Sequence, residues 1–186
     1  MTYVRGSALK TMPDIVKKYF EEDGLNKWLN SLSEETYQIF SKKVQVKNWY
    51  PLKSGLLEPT MKFCILFYNW DLKGAWEMGR HSADFGLKKI HKIFLRIGSP
   101  HFLIKKASEI LPSYYNPSTI KIVELQEKLA IFEVSEFPDL NKIIEYRIAG
   151  WMERALEISG CKDVNVKILE SSEEGKAYSK IQTTWE

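Results

Sequence analysis

Catalysis and metal binding need polar groups that converge, and the candidates in this chain are spread apart. His81, His91 and His101 follow one another at intervals of ten residues, Cys64 lies inside an apolar run, and Cys161 follows a long amphipathic segment. Steps of ten do not return to one face of a helix, so the three imidazoles are not lined up along a continuous stripe. The two cysteines make neither a metal-ligand spacing nor a disulfide framework. There is no His-Glu-x-x-His pair, no Cys-x-x-Cys, no glycine-rich phosphate loop and no nucleophile elbow. These residues predict no catalytic set and no metal site, with the histidines structural or superficial.

The unusual chemistry is apolar. Aromatic residues make up 13% of the chain, six of them Trp, and such a surplus favours thick apolar pockets or interfaces. Phe63, Cys64, Phe67, Trp76, Phe94, Tyr114, Tyr115 and Trp151 fall on helices or junctions that should face a sheet or one another. Arg80 and Arg147 stand beside apolar stripes, where a guanidinium could hold an acidic headgroup, or snorkel, or pair with Asp84 or Glu145. The set Phe63, Cys64, Phe67, Trp76, Arg80, Phe94, Tyr115 and Trp151 is the expected ligand-binding group. The same aromatic spacing also fits a filled core.

The element that must position these groups is the segment Pro138 to Gly160. Its apolar residues Leu140, Ile144, Ile148, Trp151, Met152, Ala155 and Ile158 recur at steps of three and four and form one helical stripe. Pro138 suits a first turn and Gly160 a left-handed stop. On either side lie strand-like runs: Thr119 to Leu125 and Leu129 to Val134 before it, Val164 to Ile168 and Ala177 to Trp185 after it. Upstream, the pattern predicts a helix from Ser7 to Phe20, with Pro13 marking a possible true start, a break at Asp23-Gly24, and a second helix through Leu32. Ser33 should cap a third. Thr2 to Val4 and Val44 to Leu52 read as extended segments, and Leu56 to Trp70 as a helix buried on most sides. Asp71 to Leu95 should be helical in two pieces around Phe85-Gly86. Its small residues Ala75, Gly79 and Ala83 permit either close helix packing or room for a ligand. Gly98-Ser99-Pro100 opens a helix to about Leu111, and Pro112 and Asn116-Pro117 break the chain.

Helices followed by ββαββ imply an α+β fold, N-terminal helices packed on a four-stranded antiparallel sheet. The length of 186 residues fits a single domain, 1–186, mainly helical over 1–116 and ββαββ over 117–186. The formal net charge of +3 is carried by lysine pairs scattered among acidic residues. That pattern is a set of solvated helix faces rather than a nucleic-acid track. The longest apolar run, Phe63 to Tyr68, is too short to span a bilayer, and no signal segment opens the chain. With two unpaired cysteines, a soluble cytoplasmic protein is expected.

VRGSALKTM at the start, NWYPL near residue 50, FLRIGSP at Phe94 to Pro100 and IAGWMERALEISG at Ile148 to Gly160 resemble a bacterial paralogous family abundant in myxobacteria. That family is similar to the superfamily of 4-vinyl-reductase-type ligand-binding domains, haem nitric-oxide-binding domains and the vesicle-tethering TRAPP subunits. The resemblance implies a sensor or binding fold that often works as a homodimer. Two family features are missing. Vinyl-reductase-type domains carry a Cys-rich C-terminal hairpin, whereas Ser171 and Tyr178 stand in the corresponding stretch here. Haem nitric-oxide-binding domains use a proximal His, roughly where His101 lies, together with a Tyr-x-Ser-x-Arg clamp that occurs nowhere in this chain.

The expectation is a non-catalytic sensory module that encloses a small apolar ligand without a cofactor and signals through protein contacts to an effector in trans. Ala75, Gly79 and Ala83, with Gly150 as a break in the long helix, are the expected yielding contact. The alternatives are a dimeric interaction scaffold with a filled core and a haem-based gas sensor using His101.

Overall fold

A computed structural model of the chain describes residues 1–87 and 100–186. The described chain runs β1 (Tyr3–Arg5), α1 (Gly6–Leu9), α2 (Met12–Asn30), α3 (Glu34–Phe40), β2 (Trp49–Pro51), α4 (Glu58–Tyr68), α5 (Lys73–Leu87), α6 (Pro100–Lys105), α7 (Ala107–Tyr114), β3 (Tyr115–Asn116), β4 (Thr119–Gln126), β5 (Leu129–Ser135), α8 (Lys142–Ile158), β6 (Asn165–Glu170) and β7 (Ser179–Thr184). A π-helical turn, Lys53–Leu57, leads into α4. No described helix is long and apolar enough to cross a membrane.

The C-terminal third is the ββαββ unit that the sequence predicts. Its four strands pair in the order β4-β5-β7-β6, every neighbour antiparallel. Along the central strands alternate residues are buried: Ala130, Phe132 and Val134 on β5, and Ser179, Ile181 and Thr183 on β7. Side chains alternate between the faces of a strand, so these residues form one inner face, and Ile144, Ile148 and Met152 of α8 belong to the same core, while Ala155 packs with Ala83, Leu87 and Leu103.

Helix α8 is shorter than its apolar pattern. The Asn141 side chain accepts a hydrogen bond from the Ile144 N–H at 3.3 Å and caps the helix, leaving Pro138 in the preceding turn. Gly160, at φ 98°, ends it as expected. Gly150 does not break α8, which passes through it without interruption.

The N-terminal helices follow the pattern with shifted joints. Pro13 sits in the first turn of α2, and the Ser33 hydroxyl accepts from the Thr36 N–H to cap α3. The break expected at Asp23-Gly24 falls at Glu21, whose φ of 58° and ψ of −165° kink α2. Helix α4 ends at Asn69 in the left-handed region. Helix α5 continues through Phe85-Gly86 to Leu87; the remainder of the expected second piece lies outside the described residues. The expected helix from Pro100 to Leu111 is two, α6 and α7, and α7 carries Pro112 within it. Two segments read separately as extended come together: β1 pairs with β2 through Val4 and Tyr50 and with β3 through Val4 and Tyr115. This three-stranded sheet ties the N-terminus to the start of the ββαββ unit.

The small-residue stripe of α5 serves close packing. A Cβ at Gly79 would collide with the Arg147 carbonyl oxygen on α8, and a Cβ at Gly150 would collide with the Trp76 carbonyl oxygen on α5. Ala75 and Ala83 are fully buried beside this contact.

Candidate functional site

The expected ligand-binding residues divide among three places. Phe63 and Cys64 lie buried on α4, and Phe67, half-buried, packs against the same core. Phe67 stacks on Phe20 of α2 with ring centroids 4.0 Å apart, and Phe63 meets Phe20, Phe67 and Tyr68. Burial pushes the Cys64 thiol up to about 11, so it stays protonated. Trp76 and Arg80 lie on the outer side of the α5–α8 contact. The Trp76 indole N–H donates to Glu153 at 2.8 Å, and Arg80 pairs with Glu153 and with Glu157, the latter at 2.9 Å. Asp84 binds Arg154 at 2.7 Å rather than Arg80. Arg80 therefore has its anions already. Phe94 lies outside the described residues.

Tyr115 and Trp151 reach the third place, a cavity of about 70 Å³ between the helices and the four-stranded sheet. Leu103, Ile104 and Leu111 wall it from α6 and α7, Phe132 from β5, and Ile148 and Leu156 from α8. One part of this apolar lining is polar. Arg147, 3% exposed, lines the cavity, and its Nη1 donates to Thr60 Oγ1 at 3.0 Å and contacts Met78 Sδ at 3.2 Å. Its guanidinium also meets the Tyr115 hydroxyl. The Arg147 Nε–H and the Trp151 Nε1–H, both buried, have no hydrogen-bond partner among the described residues. Buried donors are nearly always satisfied, so two orphans on residues that line one cavity call for an explanation.

Arg147 does not pair with Glu145. That carboxylate, also fully buried, accepts from the Ser171 hydroxyl at 2.8 Å, from the Ser172 N–H and hydroxyl at 2.8 Å each, and from the Ser179 hydroxyl. Burial works to raise its pKa, but these hydrogen bonds outweigh it and hold the group below the ordinary carboxylate value. The β6–β7 hairpin is thus pinned to α8 by serines. The sequence did hold a sign of Arg147, which falls between Ile144 and Ile148 and four residues before Trp151, inside the apolar stripe rather than opposite it.

Among the described residues, no histidine is placed to ligate haem in this cavity. The His101 Nε2 lies 3.2 Å from the Gln126 backbone oxygen and the ring stands edge-on to Trp185, with centroids 6.0 Å apart. Neither His101 nor any other histidine among the described residues lines the cavity. Its 70 Å³ is below even the roughly 150 Å³ of an engineered cavity that takes benzene. No described cluster of His, Cys, Asp and Glu is arranged to hold a metal ion.

No family model and no curated protein matches the sequence, so the resemblance to the paralogous family rests on its motifs alone. Solved structures do match. The Fe(II) unliganded H-NOX protein from K. algicida superposes with a TM-score of 0.69 at 11% identity, over 98% of this chain and 96% of that one. An H-NOX protein from S. oneidensis in the Fe(II)NO ligation state gives 0.74 at 12% identity, over 98% and 99%. A mutant of the T. tengcongensis H-NOX gives 0.62 at 10% identity, over 98% and 97%. At these identities the likeness is one of architecture, and the chain has the α+β fold of the H-NOX proteins.

Proposed function

We propose that the chain is a non-catalytic sensory module that takes a small, largely apolar ligand into the cavity between α5, α8 and the sheet. The observation that carries this reading is the apolar cavity itself, walled by both halves of the fold. The fold neighbours, described as H-NOX proteins in Fe(II) and Fe(II)NO states, support a sensory use of this architecture. Haem is not part of the reading, because His101 faces the backbone of β4 instead of the cavity.

Signalling requires that the ligand favour one of two conformations. Gly79, Arg147 and Trp151 line the cavity and belong to the close α5–α8 contact, so a ligand there bears on the same interface. Occupancy passes through a homodimer surface to an effector in trans. The two free, buried cysteines suit the cytoplasm, and the chain functions as one domain.

The second reading is an interaction scaffold, favoured by the cavity's size, which is well below the roughly 300 Å³ at which ligand pockets usually begin. A ladder of n-alcohols from ethanol to hexanol separates the two. A ligand that binds only the folded state raises the melting temperature, and more so the tighter it binds. The module gains stability at low millimolar alcohol with an optimum chain length; a scaffold shows no gain at any length.

A further inference from the structure

Arg147 is a permanent cation, since a guanidinium is not deprotonated in proteins. The groups that face it are Thr60 and Cys64 of α4, Met78 of α5 and Tyr115 of β3. None supplies a negative charge: burial raises both the Cys64 thiol and the Tyr115 phenol, so each stays protonated. Glu145, two residues away on α8, is occupied by three serines. No described carboxylate forms an ion pair with Arg147, and residues 88–99 contain no Asp or Glu. The fold therefore buries a cation for which the chain provides no counter-ion, an arrangement that costs stability unless something else neutralises it.

A second orphan belongs to another residue that lines the same cavity. Trp151 lies four residues after Arg147, on the same side of α8, and its indole Nε1–H is donor-only and partnerless. Two donors with nothing to donate to, one of them charged, call for a group that only accepts. Apart from Ser82, Thr183 and the hydroxyls of Tyr114 and Tyr115, the rest of the described wall is apolar. We infer that the polar end of the cavity is a carboxylate seat, in which Arg147 and Trp151 receive the headgroup of a short-chain carboxylic acid whose hydrocarbon body lies against Ile104, Leu111, Phe132 and Ile148. The volume of about 70 Å³ restricts that body to a few carbons. This inference rests on the binding reading above and specifies its ligand class. The acid enters and leaves without covalent change, and its charge is the one the guanidinium lacks.

The test is calorimetric titration of the full chain with acetate, butanoate and hexanoate against the n-alcohols of the same length, with sodium chloride as the ionic control. A charge-assisted bond to a guanidinium is roughly twice as strong as a neutral one, so the best carboxylate should bind at least about tenfold tighter than its alcohol. Arg147→Met should abolish that preference while the ligand-free variant melts no lower than the parent, because it removes an unpaired buried charge. Trp151→Phe should weaken carboxylate binding by about threefold or more, the loss of one hydrogen bond. If Arg147→Met does not fold, Arg147→Lys and Trp151→Phe decide by the same readout. Carboxylates that bind no better than alcohols overturn the carboxylate seat and leave the binding module standing, whereas heat from neither series overturns both. Chloride binding as well as the best acid, or a preference that survives in folded Arg147→Met, also overturns the seat.

Discussion

Gly79 and Gly150 seat α5 and α8 against each other in a reciprocal contact, each glycine lying where its helix meets a carbonyl oxygen of the other. Neither position has space for a methyl group, and the obstruction is backbone rather than a side chain that could rotate away. Around this contact run the ion pairs Arg80–Glu157 and Arg154–Asp84, which join the same two helices on their outer side. The glycines set the approach, and the charges fix the register.

Gly79→Ala and Gly150→Ala should each destabilise the protein by about 1–3 kcal/mol through overpacking, measured by urea unfolding. A helix displacement that relieves one collision relieves part of the other, so the double variant should cost less than the sum. Strict additivity would mean that the two glycines do not share one interface.

Glu145 gives the fold a pH dependence whose sign follows from its bonds. Its folded pKa lies below the ordinary value of 4.5, so its contribution is fully present above that pH and is lost as the pH falls through the lower folded value. Glu145→Gln should cost about 1–3 kcal/mol near neutrality, since it disturbs a buried carboxylate held by serine donors. The gap between parent and variant should narrow as the solution is acidified. A gap that stays constant with pH would show that the serines do not favour the ionised form.

Phe63 and Trp151 belong to one expected ligand-binding group, and their surroundings rank them. Phe63 is fully buried among Phe20, Phe67 and Tyr68, so Phe63→Ala should cost about 3–5 kcal/mol. Trp151 is only partly buried and borders existing space, so Trp151→Ala should cost less. The reverse order in chemical denaturation would place the cavity at α4 instead.

His101 lies against Trp185 and the β4 backbone, and its replacement should be spectroscopically silent. His101→Phe should leave the visible absorption spectrum unchanged, with no Soret band before or after. A stoichiometric Soret band in the parent that disappears in the variant would restore the haem reading.

What the sequence made legible was periodicity. The four C-terminal strands, the long helix between them and the caps at Ser33 and Gly160 follow from alternation, three-four spacing and local hydrogen bonding. The β1-β2-β3 sheet was not legible, because strands of two or three residues carry no alternation and their pairing is a long-range event. Asn141 displaced Pro138 as the start of α8, where a side-chain cap prevailed over a residue that only tolerates a first turn. At the site, aromatic type did not separate Phe63 from Tyr115, since both are apolar residues on buried faces. Arg147 was visible as a charge in a greasy stripe, but only coordinates could show that Glu145 is committed elsewhere.

Native mass spectrometry of the full chain, purified from cells under non-denaturing conditions, bears most directly on the reading of this protein as a haem-free binding module. The prediction is a population carrying one small organic passenger per chain, released as an acid on activation and absent from Arg147→Met. A haem adduct on every chain, or repeated spectra of empty protein from cells and after incubation with the short-chain acids and alcohols, would contradict it.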